Sequence, residues 1–494
     1  MGTVGDRHLR PFDGRTPRPS PLTVSVCLPP AVAESAACQH TFWTIMNMLA
    51  RLEMVVSEVF VDCPAGVPIA GRISPLFLEG VELDRAVAAA LAEIDTVPMT
   101  LSPQRGDLRL VIGPGPVESG TLRVYGEGWC GGISLERELP EGPQSSLPFG
   151  PLLAASLAVA EVFRASLLDL DRFPAVGFAF YSTWSHQVLS EARFDGPAAI
   201  DHVKLSEVLV GAGAVGVICA MCLWATEGLL GTVDLIDHDL VDETNLNRYL
   251  LFDKRHVGLH KVNAAVSLLG GSGIHFEPHD VQLEVSGLSI SRGLCAVDRN
   301  NSKAAVQNHW PESLLMATTR DLRAELVRCD PRLGGPCARC YNQPEDEGVP
   351  DDDLRARFRS MTPEEQVTFA ESANASVEDA RRWAELGECG TSGDRVRDAL
   401  REDSGPMAAF AVGFVSCAAG VMLGAEAVKE AMGATTPLST SLPRASLQFF
   451  SPHRSPGAAH YPRDSLCPMC VPGEPGAEEW GRRVSRMPSR QHDE

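Results

Sequence analysis

Positive charge is scarce in this sequence: 43 Lys and Arg stand against 64 Asp and Glu, a formal net charge of −21. Proteins held on nucleic acid by phosphate contacts concentrate Lys and Arg, so no nucleic-acid partner is expected. A basic amphipathic segment of the kind that lies on membranes is also missing. The opening residues Met1-Gly2-Thr3-Val4-Gly5-Asp6-Arg7 hold no apolar signal-peptide core. Fourteen cysteines in 494 residues fall far short of a disulfide scaffold. These absences lead to the expectation of a cytoplasmic protein with reduced thiols, in which paired cysteines suggest metal and an isolated one a nucleophile. One uncharged run, residues 407–425, is long enough to cross a bilayer. It consists mostly of Ala, Gly and Val and runs into Glu426 and Lys429, so it reads as a buried core helix and no membrane is expected.

What is present is a globular composition, 44% hydrophobic and 22% charged, in a chain long enough for two domains. Residues 1–20 read as a flexible arm and residues 471–494 as a tail rich in Pro, Gly, Glu and Arg. Between them lie two similar halves. In the second, the strand Val208-Leu209-Val210 enters Gly211-Ala212-Gly213-Ala214-Val215-Gly216. An apolar helix follows to about Gly228, then the strand Thr232-Val233-Asp234-Leu235-Ile236-Asp237. Strand, glycine turn, helix and strand ending in an acid open a nucleotide-binding doubly wound fold.

The first half repeats the shape in degraded form. Strands are expected at 22–27, 59–62, 108–112 and 122–125, with a helix at 42–52. Asp62 parallels Asp237, and Ala160-Glu161-Val162-Phe163-Arg164 parallels Ala425-Glu426-Ala427-Val428-Lys429. Leu28-Pro29-Pro30 stands where a phosphate would approach, so this half is not expected to bind nucleotide in the usual way.

Bare G-x-G-x-x-G is a weak signal, although its physics is specific: absent side chains let backbone N–H groups and a helix N-terminus approach a phosphate. Asp237 is placed to accept from a ribose hydroxyl. Asn245, Arg248 and Lys261 are polar residues able to reach a triphosphate on the glycine turn, and Asp298 suits magnesium. Taken together, these residues resemble the ThiF, MoeB and ubiquitin-activating superfamily. Its pattern is the glycine turn, an Asp after the second strand, N-L-x-R, V-G-x-x-K and then D-N. Two positions depart from it: Tyr249 follows the Arg where Gln is usual, and Arg299 follows Asp298 where Asn is usual.

The resemblance implies α/β architecture with tandem Rossmann-like adenylation folds, the first degenerate and the second active. It implies an inactive domain at 21–175, a linker at 176–200 and an active domain at 201–344 and 406–470. Gly211, Gly213 and Gly216 would shape the phosphate turn and Asp237 would bind ribose. Asn245, Arg248 and Lys261 would stabilise the triphosphate of ATP, and Asp298 would hold magnesium. An arginine lent by the arm, Arg7 or Arg10, is left open, as is homodimerisation.

Cys337-Ala338-Arg339-Cys340 and Cys467-Pro468-Met469-Cys470 are two C-x-x-C knuckles, enough for one four-thiolate structural zinc. Cys219 and Cys222 read instead as core residues of the helix after the glycine turn. An acidic insertion, 345–405, carries two helical stretches and Cys389, flanked by Gly387 and Gly390. Its place resembles that of the thioester cysteine of ubiquitin-activating enzymes, with Cys329 the runner-up. The resemblance therefore implies adenylation of the C-terminal glycine of a ubiquitin-like protein, transfer to Cys389, and handover to a ubiquitin-conjugating-type enzyme. Such an enzyme would resemble those of the bacterial ubiquitin-like conjugation operons found among antiphage (antiviral) defence systems. A sulfur-carrier activator without an enzyme thioester, and a non-catalytic zinc-bearing scaffold, stay open.

Overall fold

The computed structural model describes residues 21–78, 80–94, 96–167, 176–320, 322–330, 335–342, 351–373, 375–386, 395–397, 400, 412–440 and 442–486. Cys389, Arg7 and Arg10 lie outside them.

The first half builds β1 (Leu22–Cys27), α1 (Ala36–Leu49), β2 (Val56–Asp62), α2 (Leu83–Ile94), β3 (Met99–Leu101), β4 (Leu108–Ile112), β5 (Thr121–Glu127), β6 (Cys130–Ser134), α3 (Phe149–Leu167), β7 (Phe178–Ser182) and β8 (Gln187–Leu189). The second builds β9 (Val203–Val210), α4 (Ala214–Ala225), β10 (Leu229–Ile236), α5 (Lys261–Leu268), β11 (Ile274–His279), β12 (Arg292–Cys295), α6 (Asn300–Asn308), β13 (Ser313–Arg320) and β14 (Arg323–Cys329). After β14 come α7 (Ala338–Tyr341), α8 (Asp351–Ser360), α9 (Pro363–Ser372), α10 (Val377–Leu386), α11 (Gly413–Ala431), β15 (Arg444–Gln448), β16 (Gly457–Ala459) and α12 (Pro475–Arg486).

Two eight-stranded sheets result, ordered β3-β2-β1-β4-β5-β6-β7-β8 and β11-β10-β9-β12-β13-β14-β15-β16. In each, the first five strands of that order run parallel and the rest antiparallel. These are tandem Rossmann-like folds of one topology. Crossover helices cover the parallel strands, and apolar stretches such as Leu110-Val111-Ile112 and Val208-Leu209-Val210 are buried beneath them. Strands β7 and β8 finish the first sheet, so the span expected as a linker is part of a domain.

Register aligns the halves residue by residue. Leu28 N–H donates to Asp62 O (2.8 Å) as Gly211 N–H donates to Ile236 O (2.9 Å). Cys63, and not Asp62, therefore occupies the place of Asp237. Cys27 pairs with Val111 as Val210 pairs with Cys295, which puts Pro114 at the place of Asp298.

One core runs through both halves, because α3 packs on α11 and α11 on α4. Phe163 and Phe414 meet edge-on across that joint at 5.4 Å. Gly420 and Gly424 bring α11 close to α4: a Cβ on Gly420 would lie 2.6 Å from Val215 O. The uncharged run is thus largely a buried helix, as its composition implied. Among the described residues one helix segment, Phe149–Ser166, is long and apolar enough to cross a membrane, and 89% of it is buried.

Charge is also buried at the joint. Glu426 accepts from Lys429 Nζ (2.6 Å) and Thr436 Oγ1 (2.7 Å) and pairs with His186 Nε2 (2.9 Å). Lys429 Nζ also donates to Thr183 O (2.6 Å) and Trp184 O (3.0 Å) of the first half. Glu161 and Arg164 form the matching pair on α3, at 2.6 Å. Among the described residues the insertion holds helices α8, α9 and α10, where two helical stretches were expected, packed on Leu354, Phe358, Ala370, Trp383, Val396 and Leu400.

Burial lowers the pKa of His40 and His186 to about 4, with Lys429 adding to the effect at His186. In the unfolded chain these rings titrate near ~6.5, so it binds protons first on acidification. Stability present at pH 7 is then lost as pH falls from about 6.5 towards about 4. Urea unfolding at pH 7 and pH 5 should show this loss, and H40Q/H186Q should reduce it. An unchanged loss in that variant would place the acid sensitivity elsewhere.

Candidate functional site

Strands β9, β10 and β12 end together, and the sequence-selected residues gather around that edge. Gly211 turns the chain out of β9 at φ +97°. A Cβ there would sit 2.9 Å from the carbonyl of Ala296, so both conformation and space require glycine. Gly216, in the first turn of α4, has no room either: its Cβ would lie 1.8 Å from Gly211 O. Gly213 is different. It is the extended N-cap of α4, and its Cβ would meet nothing nearer than Tyr249 Oη at 3.6 Å. No side chain caps this helix, so the positive end of its dipole stays open. In the first half, by contrast, Ser35 Oγ accepts from Cys38 N–H (3.4 Å) and closes the start of α1.

Asp237 pins the turn: its carboxylate accepts from Ala212 N–H (2.8 Å) and Asp239 N–H (2.9 Å). Burial raises its pKa, against the pull of Lys261. Lys261, almost fully buried at the start of α5, donates to Asp239 Oδ2 (2.7 Å). Burial disfavours its ammonium, but the field of Tyr249, Asp237 and Asp239 prevails and holds its pKa above the usual lysine value. At Asp239 burial opposes ionisation, yet Lys261 prevails and lowers the pKa.

Asn245 has a local role. Its Oδ1 accepts from Asp242 N–H (3.2 Å) while Asp242 Oδ1 accepts from Thr244 N–H (2.8 Å), a reciprocal cap on the turn leading to Arg248. Arg248 Nη1 donates to Thr244 O (3.1 Å) and Asn247 Oδ1 (2.9 Å). Tyr249 lies among these groups, its ring centroid 5.3 Å from the Arg248 guanidinium and 5.8 Å from Lys261 Nζ. The residue that breaks the familiar pattern thus links Gly213, Arg248 and Lys261. Its sequence signal was the mismatch itself. Buried Asn247 Nδ2 and His260 Nδ1, each one residue before a site cation, have no hydrogen-bond partner, and a polar ligand fits such a place. Asp298 is exposed in the loop between β12 and α6.

A second cluster lies apart. Cys337, Cys340, Cys467 and Cys470 are buried, with Sγ–Sγ distances of 3.8 Å for Cys337–Cys340, 3.6 Å for Cys337–Cys467 and 3.3 Å for Cys340–Cys470. Four thiolates around a tetrahedral zinc stand roughly 3.8 Å apart, so the set fits that metal. Trp310 and Trp480 pack beside it. Cys219 and Cys222 are buried in α4, and burial raises both thiols. Cys329 is wholly buried at the end of β14 and its pKa is likewise pushed well up, which removes it from the candidate nucleophiles.

This fold and edge define a doubly wound α/β protein with an uncapped helix N-terminus and two cations, Arg248 and Lys261, on the ring of Tyr249. The ThiF family model matches residues 185–286, and the BilD N-terminal domain model matches residues 23–172. The chain is 25% identical over 387 residues to uncharacterized protein y4jF of Sinorhizobium fredii, covering 75% of this chain and 70% of that one. It is 30% identical over 162 residues to the adenylyltransferase and sulfurtransferase MOCS3 of Anopheles gambiae, 31% of this chain but only 36% of the relative. Residues 185–286 thus carry a ThiF family domain, and with the MOCS3 likeness this supports the ThiF/MoeB/E1-like superfamily for the second half. The crystal structure of E. coli MccB with MccA-N7isoASN overlaps 55% of this chain and 68% of that one, at 16% identity and a TM-score of 0.37.

The three glycines should separate by substitution. G216A must displace the Gly211 carbonyl and should cost about 3 kcal/mol, whereas G213A should cost less than about 1 kcal/mol. Denaturant unfolding measures both, and equal costs would contradict the separate roles.

Proposed function

We propose that this protein activates a ubiquitin-like protein by ATP-dependent adenylation of its C-terminal glycine. The observation that carries this reading is the difference between two halves of one topology. The second has an open, glycine-lined helix start with Asp237, Arg248 and Lys261 beside it. The first has Leu28 and Pro30 in the turn, a serine cap on the helix, Cys63 for Asp237 and Pro114 for Asp298. The first is therefore read as the inactive domain.

In the reaction, a carboxylate oxygen of the glycine attacks the α-phosphorus of ATP and pyrophosphate leaves. The N–H groups at the start of α4 and the Arg248 and Lys261 cations face the charge that builds on the phosphates. Lys261 acts as a charge and not as a proton carrier, because its surroundings keep it protonated. Magnesium would be held by Asp298 and would neutralise phosphate charge. A thiolate then attacks the acyl carbonyl and AMP leaves, giving a thioester for a conjugating-type enzyme. We assign that thiol to Cys389, in keeping with the burial of Cys329. One structural zinc is assigned to the four knuckle cysteines.

A second reading has its own support. The MOCS3 and uba4 relatives are named adenylyltransferase and sulfurtransferase, which favours a sulfur carrier as the partner and no enzyme thioester.

ATP–pyrophosphate exchange, run with a ubiquitin-like protein ending in glycine, tests the first step. K261M should reduce exchange by about 100-fold or more, as loss of one charge-stabilising donor does elsewhere. Undiminished exchange would overturn the site. Cys389→Ala should keep exchange yet give no thiol-sensitive adduct on a non-reducing gel. An adduct that never forms in wild type would favour the sulfur-carrier reading. Elemental analysis should find one zinc per chain, lost with stability in C337S/C467S; a metal-free wild type would remove the zinc.

A further inference from the structure

The loop that carries Arg248 has little regular structure of its own. After the turn Glu243–Asn245 the chain runs irregularly through Leu246, Leu250 and Phe252, whose carbonyls have no strand beside them. Those three carbonyls are taken by the other half of the molecule. Asn47, near the end of α1, donates from Nδ2 to Leu250 O (2.8 Å). Arg51, two residues beyond the helix, donates from Nη1 to Leu246 O and from Nη2 to Phe252 O (2.9 Å). Its Nε donates to Asn47 Oδ1 (2.8 Å), so the two side chains form one rigid unit. Arg51 is 3% exposed and Asn47 2%.

A guanidinium in the core is costly unless every donor is directed, and here its planar fork spans two carbonyls six residues apart. Those carbonyls bracket Arg248 and Tyr249. On the other side the start of α11 closes in: a Cβ on Gly413 would lie 3.8 Å from Arg248 Cα.

Among the described residues the arrangement has no counterpart in reverse. Helix α4, the equivalent of α1, reads Ala-Val-Gly-Val-Ile-Cys-Ala-Met-Cys-Leu-Trp-Ala and has no side chain able to hold the first half's loop in this way. Helix α1 does contain a local counterpart, Gln39. Its Nε2 donates to Ala33 O and Pro68 O and its Oε1 accepts from Ala70 N–H, each at 2.8 Å, but all three partners belong to its own half.

We propose that Asn47 and Arg51 are positioning residues through which the first half holds the Arg248–Tyr249 segment in its nucleotide-facing form. The first half would then act on the site through the backbone, without touching nucleotide. This rests on the adenylation reading for its consequence, although the contact itself does not.

The test compares R51K, N47L and Q39L in the full chain by thermal melting, by Mg-ATP titration, and by amide hydrogen exchange at residues 245–252. Lysine keeps the charge of Arg51 but cannot span both carbonyls. R51K and N47L should bind Mg-ATP about tenfold more weakly and exchange faster at 245–252. Q39L should melt earlier but bind Mg-ATP as wild type does. Unchanged protection at 245–252 in R51K and N47L overturns the proposal whatever the nucleotide result. Wild-type Mg-ATP affinity in both also overturns it, as does an equal loss in Q39L, which would mark general destabilisation. A wild-type chain that binds no Mg-ATP overturns the adenylation reading instead, and the exchange data still decide whether Arg51 holds the loop.

Discussion

A carboxylate with no access to water lies where the two halves meet, and much of the architecture follows from satisfying it. Glu426 is fully buried on α11, and among the described residues Lys429, His186, Thr436 and the nearby Arg328 answer its charge. Removing one partner of such a cluster leaves an uncompensated charge, which is far more costly than any gain the cluster itself brings. Three of the groups that complete it, the His186 ring and the carbonyls of Thr183 and Trp184, come from the β7–β8 end of the first sheet. The helix that closes the second half cannot take its place until that end of the first sheet is present. The two sheets are therefore one cooperative unit, even though each has a complete Rossmann-like topology.

The repeat explains why the halves differ where they do. Both closing helices keep a buried acid–base pair at i,i+3; Glu426 and Lys429 face the joint, whereas Glu161 accepts from Val176 N–H of its own half. The strand edges have diverged, because the first has no comparable demand on its turn. There, Ser35 caps α1 and a short turn at Pro30–Val32 intervenes before the helix. Freed of glycine, α1 and the turn after it could place Gln39, Asn47 and Arg51 in the interior, whereas α4 has to stay apolar to fit beneath α11.

Features written in a few neighbouring residues were legible in the sequence: the glycine turn, the strands on either side of it, the two cysteine knuckles and the closing helices. Features set by pairing were not. Asp62 looked like the counterpart of Asp237, because a local reading counts along one strand, while register is fixed by the neighbour and moves the equivalence to Cys63. The β7–β8 hairpin looked like a linker because its strands are short and the turn between them carries Thr183, Ser185 and His186. Arg51 carried no local signal at all, since its partners lie about 200 residues away. Tyr249 was visible as a substitution, but its place between Gly213, Arg248 and Lys261 came only from the fold.

Helix α4 is buried along its whole length, Ala214 to Ala225, with the sheet on one side and α11 pressed on it through Gly420 and Gly424 on another. Such a helix has very little dielectric response. Its N–H dipoles cannot swing to suit whatever charge arrives, as water or an exposed loop would, and they present one fixed field at Gly213. A charge distribution that matches this field gains the full interaction at no reorganisation cost, and one that does not match gains little. The close helix packing that looks like a matter of stability therefore also sets how sharply the turn can tell one arrangement of negative charge from another.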